Sequence, residues 1–309
     1  MVSLPTSPEG PTVYAIVSRQ SDPALHALTE AGVAALGADA CTMIDLPVGP
    51  TPSEADRLQV LEFLQDSYNA RGAFVVEPAR AFFDGRTDAF DAMDDACRLL
   101  GEVGAIVRRP GALQAAAPRL KAAMRAADRI LPAEITEVLV FGAGADARAL
   151  AAALGCGMCA ARPAKVILAS NHAAGLNLAR QHLLNKVSAS ELEIRHIENP
   201  TENDRLLALL PPGSAIVRAP SANEQTAMLS GSASLYPTGA VIWDMLSPAT
   251  ASAFLGSAVR QREAAGLKLS DGSAYREERR VAMMETMFGA EAGDDDLAKL
   301  RAAVRNLDA

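Results

Sequence analysis

Three small residues at fixed spacing carry the clearest chemistry in this 309-residue chain: Gly142, Gly144 and Ala147, in the pattern Gly-x-Gly-x-x-Ala. A loop of this kind between a strand and a helix suits a diphosphate. The first glycine permits a tight turn, and the second has no Cβ to keep a phosphate off the backbone. The small third residue lets the helix lie close on the strand. The N–H groups that open the helix, those of Ala145 and Asp146 among them, then face the anion with the positive end of the helix dipole behind them. The context matches: the apolar run Val138–Phe141 precedes the glycines, and the breaker-free segment Asp146–Leu154 follows them. The same loop also serves a fold whose cleft is closed, so the spacing alone leaves both readings open.

A second pattern, Cys156-Gly157-Met158-Cys159, has the spacing of a metal or redox pair. Zinc would need two further ligands, and no second pair of cysteines or nearby pair of histidines supplies them. The pattern falls where the first nucleotide-fold helix should turn towards the next strand, so no metal is expected. Four cysteines in so long a chain do not read as a disulfide framework. A net charge of −8 without a basic stripe argues against nucleic acid as a partner. No run of 18 apolar residues suggests a membrane span, and MVSLPTSPEGPTV lacks a signal-peptide pattern, so a cytoplasmic location is expected. The chain is 50% hydrophobic but only 4% aromatic, which predicts cores of Ala, Leu and Val.

The elements that must position the loop follow from apolar runs and breakers. Strands are predicted at 13–17, 39–46, 73–76 and 103–108, alternating with helices at 23–37 and 53–69 and a broken helical stretch at 79–100. Alternation of this kind predicts an α/β domain with a mostly parallel sheet. Residues 110–131 read as one long helix, stopped by Pro132. From there the pattern is βαβ: strands at 138–141, 165–169, 191–197, 215–218 and 239–243, with helices at 145–154, 173–184 and 202–210. Helices at 252–265, 273–288 and 297–307 complete the chain. The fold class is therefore α/β with two domains. Residues 12–131 with 260–309 are assigned to one α/β domain, and residues 132–259 to a Rossmann-type parallel-sheet nucleotide domain.

This order of elements resembles the shikimate and quinate dehydrogenases over about residues 18–289. The loop Gly142-Ala143-Gly144-Ala145-Asp146-Ala147-Arg148 carries the likeness most strongly. Tyr236–Pro248, with Asp244 followed by Pro248, and Asp22-Pro23-Ala24-Leu25-His26, at the entry to the first helix, add to it. The resemblance implies a nicotinamide cofactor and a small substrate, with residues 12–131 and 260–309 as an α/β substrate domain onto which the C-terminal helices pack back. Its catalytic residues, however, are not matched. The family's lysine falls on Arg80, within Phe74-Val75-Val76-Glu77-Pro78-Ala79-Arg80, and its catalytic aspartate falls near Arg119. The serines that hold the substrate carboxylate fall on Gln20 and Asp22, and a C-terminal glutamine falls near Arg279. Arginine keeps its charge, so Arg80 and Arg119 cannot replace the lysine–aspartate proton relay.

The resemblance therefore implies a substrate other than shikimate. If Arg80 and Arg119 face one cleft, their guanidinium forks suit a carboxylate or phosphate; alternatively they pair with Glu77, Asp84 or Glu102. Asp22, Glu77, Asp244 and Arg279 are the further candidates for holding substrate. His26 is a candidate proton donor, or a packing residue of its helix. For the cofactor, the second nucleotide-domain strand ends in Ser170-Asn171-His172 without an acid, which favours NADP over NAD. Arg218 falls near the nicotinamide half. The primary expectation is an NAD(P)-dependent oxidoreductase acting on a small anionic molecule. The alternative is a metabolite-binding protein, or a non-redox lyase, isomerase or one-carbon enzyme, on the same fold. Neither nucleic acid nor membrane is expected as a partner, and a homodimer is left open.

Overall fold

Residues 11–35, 41–49, 51–76, 79–85, 87–109, 111–221, 224, 235–248, 252–288 and 294–307 are described by the computed structural model. The chain divides into two units, Met1–Arg119 with Arg279–Ala309, and Leu120–Glu278.

The first unit begins β1 (Thr12–Ser18), α1 (Pro23–Ala35), β2 (Cys41–Pro47), α2 (Glu54–Asp66), β3 (Ala70–Val75) and α3 (Ala79–Gly85). It continues with β4 (Ala92–Met93), α4 (Asp95–Leu100), β5 (Ala105–Arg109) and β6 (Ala112–Ala116). The sheet order is β2-β1-β3-β5-β6-β4. Strands β2, β1 and β3 are parallel, whereas β5 runs antiparallel to both β3 and β6. Helix starts follow local chemistry. Ser53 and Asp56 close a reciprocal capping box at α2, and Asp94 accepts from Cys97 N–H at 2.7 Å to cap α4.

One expectation fails here. Residues 110–131 are not a single helix, because 112–116 form β6 and only Pro118–Ile130 is helical (α5). Leu-Gln-Ala-Ala favours a helix locally, but pairing with β5 across a turn at Gly111 (φ +76°) overrides that preference. Asp94 secures the junction by accepting the Ala117 N–H at 3.1 Å.

Two C-terminal helices, α11 (Ser273–Phe288) and α12 (Asp294–Leu307), complete the first unit with residues from Arg279 onward. Met284, Met287, Leu300 and Val304 join Tyr14, Ile16, Leu28 and Phe74 in one buried cluster. Gly72 of β3 makes this packing close: a Cβ there would lie 2.6 Å from Ile106 O and 2.5 Å from Met287 Sδ.

The second unit is a doubly wound sheet. Its elements are β7 (Glu137–Phe141), α6 (Ala145–Gly155), β8 (Lys165–Ser170), α7 (Ala173–Leu183), β9 (Glu191–His196) and α8 (Pro200–Leu209). They are followed by β10 (Ala215–Arg218), β11 (Val241–Asp244), α9 (Ala253–Val259), α10 (Arg262–Ala265) and β12 (Lys268–Ser270). The order β12-β11-β10-β7-β8-β9 is wholly parallel. The strand order reverses between β7 and β10, which is where such sheets bind ligands. The helix expected at 252–265 is split into α9 and α10. Leu139, Phe141, Ile216, Ile242, Phe254 and Leu255 form the centre of this unit's core.

The chain passes between the units within α5 and within α11. Arg129 joins the two helices on the second unit's side, 2.9 Å from the fully buried carboxylate of Glu278 and 3.4 Å from Glu277. Among the described residues no helix is long and apolar enough to cross a membrane.

The substitution Gly72→Ala should destabilise the protein by roughly 1–3 kcal/mol, because the carbonyl of Ile106 belongs to the sheet and cannot move aside. Urea unfolding should show a lower midpoint at unchanged slope. An unchanged midpoint would contradict this account of the packing.

Candidate functional site

The loop after β7 is built as its spacing predicts. Gly142 has φ +128°, a conformation that favours glycine. A Cβ there would strike the backbone of Ala219, and one on Gly144 would lie 2.9 Å from Ser221 Cβ. Both glycines are thus required by the segment that follows β10, whatever ligand the loop binds. Gly144 is the N-cap of α6 and has no side chain with which to cap it. The first N–H groups of that helix, on Ala145, Asp146 and Ala147, have no intrahelical acceptor. The Asp146 side chain is occupied elsewhere, accepting from the Tyr275 hydroxyl at 2.5 Å.

The crevice also contains a residue that sequence patterns did not single out. Glu224, 6% exposed, accepts from Ala143 N–H at 2.8 Å, from the Ser170 hydroxyl and from Ser221 N–H. Ser170, at the end of β8, is fully buried, and its oxygen also accepts the His172 N–H at 2.9 Å. Of the three residues expected to meet the cofactor at this strand end, Ser170 is therefore committed to Glu224. Asn171 and His172 follow it before α7. His172 Nδ1 and Ser221 Oγ are buried with no hydrogen-bond partner among the described residues. These two orphaned polar atoms flank a glycine loop and an uncapped helix start. The residues present therefore fit a dinucleotide, with the diphosphate on the Gly144–Ala147 N–H groups.

Arg218, at the end of β10, points its Nη1 at Asp244, 3.1 Å away. Asp244 is fully buried and also accepts from Ser252 Oγ at 2.6 Å, Ser247 N–H at 3.2 Å and Leu246 N–H at 3.3 Å. This carboxylate fixes the chain beyond β11, and Arg218 is its counter-ion.

In the first unit, Arg119 and Arg279 line one shallow recess with Glu102, Gly104, Val75, Val76, Pro118 and Met283. Arg119 Nη1 lies 2.5 Å from Glu102 Oε1, and the Glu102 side chain is 3% exposed. Arg279, half-buried on α11, makes no ion pair among the described residues. Arg80 is not among the residues that line this recess. It pairs instead with Asp84, one turn further along α3, at 2.6 Å. Asp22 caps α1, accepting from Leu25 N–H at 3.0 Å. His26 Nε2 lies 3.0 Å from Asp45 Oδ1 of β2. Burial pushes the Asp45 carboxyl up, but hydrogen bonds from His26 and Ser21 and the charge of His26 outweigh it and lower it overall. Glu77 lies outside the described residues.

The cysteine pair behaves as a helix-end turn: Cys156 is the C-cap of α6, and Gly157 follows at φ +65°. Burial pushes the Cys159 thiol up to about 12, with Asp128 adding to it. Burial raises Cys97 further and Cys156 less. No cluster of metal-ligating side chains occurs among the described residues.

Two outcomes follow. An alanine at Gly142 should cost roughly 2–5 kcal/mol, from positive-φ strain and collision with a backbone carbonyl. Circular dichroism during heating would show the loss, and an unshifted transition would contradict the geometry. In the native protein, a thiol reagent at neutral pH should leave Cys97 and Cys159 unmodified while Cys41 and Cys156 react slowly. A ready Cys156–Cys159 disulfide would contradict the structural role of this pair.

No family model matches the sequence, and no curated relative does. Solved structures do match. A ligand-free 5-ketofructose reductase from a Gluconobacter strain superimposes with TM-score 0.67 at 18% identity, covering 96% of this chain and 99% of that one. The Mycobacterium tuberculosis shikimate dehydrogenase gives 0.67 at 16%, covering 96% and 100%. A Listeria monocytogenes shikimate 5-dehydrogenase in complex with shikimate and NAD gives 0.67 at 16%, covering 96% and 98%. Near-complete coverage at such low identity makes this a divergent chain with the shikimate dehydrogenase fold.

Proposed function

We propose that the protein is an oxidoreductase that uses a nicotinamide dinucleotide on a small anionic substrate other than shikimate. The observation that carries this reading is the recess in which Arg119 and Arg279 meet while only Arg119 has a carboxylate partner. The pair with Glu102 neutralises one guanidinium. Arg279 leaves the recess with one positive charge and a planar donor fork, which suits a carboxylate or a phosphate. Dehydrogenases and a reductase among the structural neighbours support the redox class.

A bound nicotinamide cofactor would supply or accept the hydride, and the Gly144–Ala147 N–H groups would hold its diphosphate. On the substrate side, Arg279 would bind the anionic group and Glu102 would hold Arg119 in place. Neither arginine abstracts a proton, since guanidinium stays protonated throughout the working pH range. That same fact favours a second reading, in which the fold binds cofactor and metabolite without hydride transfer.

Calorimetric titration with a panel of small carboxylic acids and phosphate esters tests the recess. Arg279→Ala should weaken the best ligand at least about tenfold, while Arg80→Ala, outside the recess, should leave affinity unchanged. Equal loss in both variants, or loss in neither, would overturn the site. Reduction of 2-oxo acids by NADH or NADPH then separates the two readings, because cofactor binding with no turnover supports the second.

A further inference from the structure

We propose that Glu224 selects the cofactor, favouring NAD over its 2′-phosphorylated form; the inference rests on the dinucleotide reading above. In sheets of this order the adenosine ribose lies at the end of the second strand. An acid there accepts its 2′-hydroxyl, and an arginine there accommodates a 2′-phosphate. Here the second strand is β8, and Ser170-Asn171-His172 offers neither group. The fold supplies the acid from elsewhere. Glu224 comes from beyond β10, 54 residues further along the chain, and its carboxylate receives the Ser170 hydroxyl directly.

Three donors, from the segments following β7, β8 and β10, fix this carboxylate in place. At 6% exposure it is screened from solvent, so its field reaches the strand end at a low effective dielectric. A 2′-phosphate brings about −1.5 to −2 further charge to that place. The nearby arginines among the described residues are engaged elsewhere: Arg148 of α6 has its Nη1 on Ala143 O at 3.1 Å, and Arg195 of β9, in register with Ala169, pairs with Glu193. Arg180 lies within α7 and is exposed, with its Nη1 on Asn177 at 3.0 Å. The Ser170 hydroxyl donates its proton to Glu224, so it has none left for a phosphate oxygen. The unphosphorylated ribose brings no added charge to be repelled.

Glu224→Gln keeps the size of the side chain and removes its charge. Fluorescence titration of NADH and NADPH against the wild-type protein and this variant reads the effect without turnover. The wild type should bind NADH at least about tenfold more tightly than NADPH. The variant should bring the ratio near one by raising NADPH affinity. A wild type that prefers NADPH overturns the proposal by itself, with no variant needed. A variant that gains equally for both cofactors overturns it too, since the carboxylate would then obstruct the crevice rather than select within it. An unchanged ratio has the same force. If neither cofactor binds either protein at millimolar concentration, the dinucleotide reading fails, and this inference with it.

Discussion

Two parallel strands that leave a sheet side by side bring their following loops into backbone contact, and the second unit is built around that contact. Ala219 N–H donates to Phe141 O at 2.8 Å, and Gly142 N–H donates to Ala169 O at 2.8 Å. The turn after β7 is thereby fixed between its neighbours on both sides. With Ala219 against its α-carbon, position 142 has no room for a side chain. The glycine spacing is thus a demand of the strand order before it is a demand of any ligand. This demand holds whatever residues the other unit carries.

The same contact creates an electrostatic problem and its solution. Loops that converge at a topological switch point present N–H groups without strand partners, and buried donors left alone are costly. A carboxylate satisfies several at once. Glu224 does so for Ala143, Ser170 and Ser221. A neutral side chain would satisfy fewer of them, because an amide offers one oxygen and a nitrogen that only donates. A residue suited to hold the loops together therefore also brings a negative charge to the place where a nucleotide's own charges would lie.

How far the sequence reveals these features depends on how local their causes are. The central strands of the second unit, β7, β8, β10 and β11, are short, largely buried runs with glycine or proline close to one end, and their spacing shows in the sequence. Strand β6 is an alanine-rich segment that becomes a strand only because β5 and β4 pair with it. Strands β4 and β12 are too short to carry a pattern of their own. Within the site, the glycine loop is legible because its three positions lie within six residues. Glu224 is not, for it meets its partners across 54 and 81 residues, from a stretch with no periodicity. Arg80 illustrates the reverse error. Its alignment to a lysine suggests a cleft, but its nearest acid is one helical turn away at Asp84, and local pairing claims it.

The first unit holds a buried acid and two arginines at one recess. Glu102 is buried, and a buried carboxylate without a cation carries a large desolvation cost. Arg119 meets that need and is held by it. Arg279 lines the same recess without sharing in this pair. Three charged residues thus divide into a closed pair and one remaining cation. Such an arrangement orients an anion through a fixed charge rather than by exchanging protons.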